Sequence, residues 1–209
     1  ITGVLKRPVM LQGREVVVSA SLGVAFARDA RSADELLRNA DVAMYQAKAA
    51  GKGRHAEFDQ AMHAAAVARL ELAAGLRYAV ERNELRLLYQ PVVELSTGRV
   101  VGAEALLRWE RPGHGVVAPL TFIPLAEETG LIVPIGRWVL REACAQLALW
   151  RGSLVHGDTL CMNVNVSGRQ LAEPGFVDEV LAATRDAGIP IERLTLEITE
   201  TVLVERADE

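Results

Sequence analysis

Cysteine is nearly missing from this chain of 209 residues, with Cys144 and Cys161 the only two. Two are too few for a disulfide framework, and their spacing matches no zinc site. They read as reduced, buried thiols of a cytoplasmic protein. A long apolar run is missing as well. No stretch reaches the roughly 18–20 uninterrupted apolar residues of a membrane span, and no signal peptide stands at the start. The chain opens at Ile1 without an initiator Met and stops at Glu209 just after a strand-like run, so both ends read as cuts. A parent anchored in the membrane through a missing N-terminal region is compatible with that. Strong charge of either sign is also absent. A formal net charge of -4 gives no general attraction to DNA, RNA or an anionic membrane, so a phosphate-bearing ligand needs local Arg, Lys or metal. There is no internal repeat and no low-complexity tract. What remains is an ordinary globular balance, half apolar and a quarter charged, that should bury a core in one large or two small domains.

The pattern along the chain changes twice. Val16 to Phe26 is rich in β-branched and small residues and predicts a strand pair, or a bent strand broken near Gly23. Ser32 and Glu35 then have capping-box spacing, Leu36, Leu37, Ala40, Ala43, Met44 and Ala47 recur at helical period, and Gly51 and Gly53 supply a stop. From Gln60 to about Asn83 an amphipathic helix carries Met62, Ala66, Leu70, Leu76 and Val80 on one side, and reads as a semi-rigid connector. Beyond it come strands at Leu85–Val93 and Val100–Trp109, with a turn at Gly98. A loop from Arg111 to Pro119 precedes helical material from Phe122 to Trp150, broken near Gly130 and Pro134. Strand Thr159–Ser167, helix Phe176–Ala187 and strand Leu194–Thr199 complete an alternation typical of a parallel α/β fold. The implied domains are 1–58, a linker helix at 59–83, and 84–209.

Side chains alternate across a strand. In the last strand Leu194, Leu196 and Ile198 oppose Thr195, Glu197 and Thr199. In the one before it Leu160, Met162, Val164 and Val166 oppose Cys161, Asn163, Asn165 and Ser167. A doubly wound sheet covers both faces with helices and reads as continuously apolar, whereas a barrel keeps an inner face that hosts polar groups near the C-terminal strand ends. The pattern favours a barrel. On the strand from Val100, Glu104 and Arg108 share a face but stand roughly 13 Å apart, so they cannot pair directly and each needs another partner. Glu104, Asn165 and Glu197 thus project oxygen donors inward from three strands, with no His or Cys among them. That donor chemistry suits Mg²⁺ or Mn²⁺ rather than zinc, and such an ion lowers the pKa of a bound water and polarises a phosphoryl oxygen. An inward polar network satisfied by water and neighbouring side chains explains the same pattern.

Glu104-Ala105-Leu106 with Arg108 resembles the E-A-L-x-R signature of EAL domains. In the family's order stand also Tyr89-Gln90-Pro91, Phe122-Ile123-Pro124-Leu125-Ala126-Glu127-Glu128-Thr129-Gly130, Asn165-Val166-Ser167 and Glu197-Ile198-Thr199-Glu200. The resemblance spans about Leu85 to the end. It implies a modified TIM barrel that hydrolyses cyclic-di-GMP to linear pGpG with Mg²⁺ or Mn²⁺. Position by position, Glu104, Asn165 and Glu197 resemble metal ligands, and Gln90 and Arg108 resemble ligand contacts. Glu200 resembles the glutamate that holds a mobile catalytic loop. Glu127 is open between a site role and a helix-surface role.

The N-terminal piece, Val18 to Ala25 and then Ala40 to Lys52, is similar to the C-terminal third of a GGDEF diguanylate cyclase domain. The positions of Lys48 and Lys52 there contact nucleotide phosphates, although the second is usually Arg. Two solvated lysines at a helix C-terminus, favoured by its dipole, are the alternative. The G-G-D-E-F loop itself is absent from the chain, which removes cyclase chemistry. The resemblance therefore implies an incomplete (β/α)8 TIM-like barrel preceded by the C-terminal α+β piece of a GGDEF domain and a connecting helix. The family's later Asp-Asp-Phe-Gly loop, Lys, Glu and Gln are not in this sequence. A half-barrel leaves open sheet edges, so this polypeptide alone is expected to be poorly stable and inactive. The intact parent reads as a phosphodiesterase. The alternatives are a degenerate EAL domain that binds cyclic-di-GMP without cleaving it, and a GGDEF remnant that senses nucleotide or dimerises. A homodimeric parent is compatible with all three.

Overall fold

The structure is a computed structural model that describes residues 8–198, and the chain divides into two compact units, 1–71 and 72–209. In the first unit, β1 (Val9–Leu11) and β2 (Arg14–Val16) form an antiparallel hairpin, while β3 (Leu22–Val24) pairs in parallel with β4 (His55–Glu57). The strand break expected near Gly23 lies instead between Val16 and Leu22, and Gly23 is the middle of β3. A Cβ there would stand 1.9 Å from the Ala40 carbonyl oxygen, so the glycine marks a helix pressed onto the strand.

That helix, α1 (Ala33–Ala49), starts where the capping residues say it should. Ser32 Oγ accepts the Glu35 N–H at 3.2 Å, but the Glu35 carboxylate accepts from the Arg31 N–H at 2.7 Å rather than from the cap residue itself. One N–H of the first turn is thus satisfied by the cap, and the carboxylate serves the N–H of the residue just ahead of the cap. Lys48 stands in the last turn, and Lys52 follows with a left-handed φ of 55°.

Helix α2 (Gln60–Leu76) is shorter than its sequence suggests. After Leu76 the chain tightens, with the Tyr78 N–H donating to the Gly75 carbonyl and the Ala79 N–H to the Leu76 carbonyl, both at 3.1 Å. Asn83, at φ 54°, then redirects it. The tightening buries Leu76 and Ala79, whereas Leu70, assigned to the apolar side, is 72% exposed.

The second unit is part of a TIM-like α/β barrel. Strand β5 (Leu85–Val93) runs antiparallel to β6 (Val100–Arg111) around Gly98, and β6, β8 (Cys161–Val166) and β9 (Leu194–Ile198) are mutually parallel neighbours. The loop expected after Arg111 contains one more short strand, β7 (Gly115–Val117), which pairs back onto the end of β6. Helices α3 (Pro119–Thr129), α4 (Ile132–Ser153), α5 (Gly168–Leu171) and α6 (Phe176–Ala187) belong to this unit. Gly130, at φ 80°, ends α3. Pro134 does not break α4, because it falls in the first turn, where a missing N–H has no intrahelical partner to lose.

Met162, Val164 and Val166 are buried in one core with Trp109, Phe122, Ile135, Leu140 and Leu147. The apolar strand face therefore lies under the helices, as the alternation predicts. Trp109 packs edge-on to Phe122 with ring centroids 5.7 Å apart. Its indole N–H donates to the buried Glu84 carboxylate at 2.9 Å, which supplies a partner for both polar groups. The opposite face of the sheet is left to the polar residues.

Candidate active site

Backbone register brings the inward polar residues into rows. Gln90 is opposite Glu104, and Glu104 is opposite Asn163. One row further toward the strand C-termini, Asn165 is opposite Glu197. Because β8 lies between β6 and β9, the strands bearing the two glutamates are about 10 Å apart. Each glutamate leans toward the strand between them. Asn165 Nδ2 donates to Glu104 Oε1 at 2.7 Å, and Asn163 Nδ2 donates to Glu197 Oε1 at 2.6 Å. Glu104, Asn165 and Glu197 thus share one polar face, and the two amides of β8 tie its two carboxylates together.

Asn163 is the residue that sequence reasoning left out of the site. Its parity put it on the correct face, but nothing local marks an amide as a partner for a carboxylate 34 residues away. Gln90 joins the site through its register opposite Glu104. Arg108 stands four residues further along β6 and donates from Nη1 to its neighbour's carbonyl, Leu107 O, at 2.8 Å. Glu200 lies outside the described residues.

Glu127, whose sequence position was ambiguous, lines a cavity of about 390 Å³ together with Arg108, Asn165 and Ser167. Leu106, Ile123, Pro124 and Ile132 give that cavity apolar walls. Its floor is fixed by the turn out of β8. Ser167 Oγ accepts the Gln170 N–H and Gln170 Oε1 accepts the Ser167 N–H, both at 3.2 Å, a complete capping box on the short helix α5. Gln170 is buried against Gly136 of α4, where a Cβ would stand 1.8 Å from its Nε2. Arg169 reaches back to the Glu127 carbonyl oxygen at the end of α3. The turn that follows Asn165 is therefore held by two helices.

The donor set fits a hard divalent cation in kind. It consists of carboxylate and amide oxygens, which Mg²⁺ and Mn²⁺ favour. Among the described residues no group of three or more His, Cys, Asp or Glu comes together, so an ion here would need the asparagine oxygens beside Glu104 and Glu197. Two groups outside this polar face have displaced pKa. Burial, helped by the Glu142 charge, pushes the Tyr89 hydroxyl up to about 12. Burial alone pushes the Cys144 thiol up to about 11.

Comparisons with known proteins identify the family. The EAL domain model matches residues 73–209, and the diguanylate cyclase, GGDEF domain model matches residues 1–54. The bifunctional diguanylate cyclase/cyclic di-GMP phosphodiesterase MucR of Pseudomonas aeruginosa is 44% identical over 205 residues, which is 98% of this chain and 30% of that protein. The oxygen sensor protein DosP of Escherichia coli is 38% identical over 209 residues, 100% of this chain and 26% of that one. The chain thus spans about a quarter to a third of the length of these relatives. Among solved structures, the PaMucR phosphodiesterase in its c-di-GMP complex superposes with a TM-score of 0.61 at 47% identity, covering 66% of this chain and 55% of that one. The Xanthomonas citri FimX EAL domain in complex with c-diGMP gives 0.59 at 27% identity, covering 70% and 55%. With its acidic and amide side chains on the inner face of a TIM-like sheet, this chain belongs to the EAL domain family and carries the C-terminal part of a GGDEF domain ahead of it.

Proposed function

We propose that the protein containing this chain is a metal-dependent phosphodiesterase that hydrolyses cyclic-di-GMP to linear pGpG. The observation that supports this most directly is the Glu104–Asn165 and Asn163–Glu197 pairing on one concave polar face. In this reading Glu104, Asn165 and Glu197 hold Mg²⁺ or Mn²⁺, which when bound polarises a phosphoryl oxygen and favours ionisation of a water. Asn163 keeps the Glu197 carboxylate turned toward β8. Gln90 and Arg108 bind the dinucleotide, Arg108 as a guanidinium suited to a phosphate or a guanine edge. The apolar cavity beside Arg108, with Glu127 on its wall, is large enough to take a purine ring. Glu200 would steady a loop at the end of β9.

The test is Glu104→Ala in a protein that carries these residues within a full-length EAL domain. Mn²⁺-dependent conversion of cyclic-di-GMP to pGpG, followed by chromatography, should fall by at least about a thousandfold while the circular dichroism spectrum is retained. Undiminished turnover removes Glu104 from the site. Tight cyclic-di-GMP binding without turnover in the unmutated protein favours a receptor instead.

A further inference from the structure

Two arginines face each other across the first strand pair. Arg86 on β5 and Arg108 on β6 are register partners, so their Cβ atoms stand about 4.5–5.5 Å apart. Both lie on the face that carries Gln90 and Glu104, each four residues from that row, toward the C-terminal end of β6. Like charges placed directly opposite weaken a strand pair, so their juxtaposition asks for compensating negative charge.

The protein supplies only part of it. Arg86 Nη1 donates to the Asn83 and Leu85 carbonyl oxygens at 3.0 Å each, and its Nε lies 3.8 Å from the Glu110 carboxylate. Arg108 donates to the Leu107 carbonyl and has no ion pair among the described residues. Glu110 therefore pairs with one of two facing guanidiniums, each of which has five N–H donors in a fork. The backbone contacts engage Nη1 of each guanidinium and leave the Nη2 donors of both forks unengaged among the described residues, in reach of a phosphate.

We propose that Arg86 is a second substrate-binding arginine, which closes with Arg108 on the dinucleotide phosphate remote from Glu104 and Glu197. This rests on the cyclic-di-GMP reading above. A purely structural Arg86 would brace Glu110 and the turn at Asn83, and its loss would change stability without changing affinity.

The experiment is calorimetric titration of cyclic-di-GMP, with EDTA present to prevent metal-dependent turnover, into a full-length EAL-domain protein carrying these residues. Arg86→Ala should weaken binding about tenfold, and Arg86→Lys should restore most of it. Raising the salt concentration to about 0.5 M should shrink the difference between the variant and the unmutated protein. Glu110→Gln, which frees Arg86 for the ligand, should bind about two- to threefold tighter. Unchanged affinity in Arg86→Ala, with or without a lower melting temperature, overturns the arginine pair while leaving the substrate reading intact. If Arg86→Ala does not fold, weaker binding by Glu110→Gln overturns it. A folded, unmutated protein that binds the dinucleotide neither in EDTA nor with Mn²⁺ overturns the substrate reading, and the pair with it.

Discussion

Gly136→Ala would test whether the turn that follows Asn165 is held in the way the structure shows. In the interior of an exposed helix this change gains about 0.8–1 kcal/mol from helix propensity. Here the new methyl would stand 1.8 Å from Gln170 Nε2, and Gln170 is only 5% exposed. The side chain must leave its place. Its Oε1 then no longer accepts the Ser167 N–H, a loss of about 1–3 kcal/mol for a shielded donor. Crowding in the surrounding core costs about 1–3 kcal/mol more. With the propensity gain subtracted, the net destabilisation should be about 3 kcal/mol, or about 6–12 °C in melting temperature for a domain of this size. Urea and thermal unfolding followed by circular dichroism would measure it. The double variant Gly136→Ala/Gln170→Ala removes the collision and should be no less stable than Gln170→Ala alone, so the two sites should be strongly non-additive. If Gly136→Ala is neutral or stabilising, Gln170 does not fill that space, and the account of what positions Asn165 fails.

Two further predictions concern groups away from the site. Tyr89 packs against Trp150 with its pKa raised from 10.0 to about 12. The unfolded chain loses that proton first, so the stability Tyr89 contributes is complete below pH 10 and is lost as pH rises toward 12. Tyr89→Phe should remove that part of the alkaline loss in pH-dependent denaturation, and an identical alkaline profile would refute the burial argument. Cys144 is fully buried with its thiol pushed up to about 11, whereas Cys161 is partly exposed. Iodoacetamide should modify Cys161 well before Cys144 in the native protein, as read by peptide mass spectrometry, and denaturant should abolish the difference.

Much of the site was legible because strand alternation is a local property of the backbone. Met162, Val164 and Val166 alternate with Asn163 and Asn165, and that pattern alone assigned one face to the core and the other to polar chemistry. The order of motifs from Gln90 to Glu197 carried the family. Helix starts were legible too, since a cap such as Ser32 satisfies groups within its own first turn.

Contacts between segments far apart in sequence were settled only by the tertiary structure. The offset between strands decides that Glu104 meets Asn165 across 61 residues, and that Asn163 belongs with Glu197. No local period encodes that offset. The same holds for Gly23 and Gly136, whose missing Cβ atoms make room for Ala40 and Gln170 rather than for a turn. It holds also for the early end of α2 at Leu76, where burying Leu76 and Ala79 prevails over helical continuity. Amino-acid order determines which face each side chain takes, because that depends on one strand at a time. Which faces meet, and at what register, depends on packing between elements, and only the folded chain decides it.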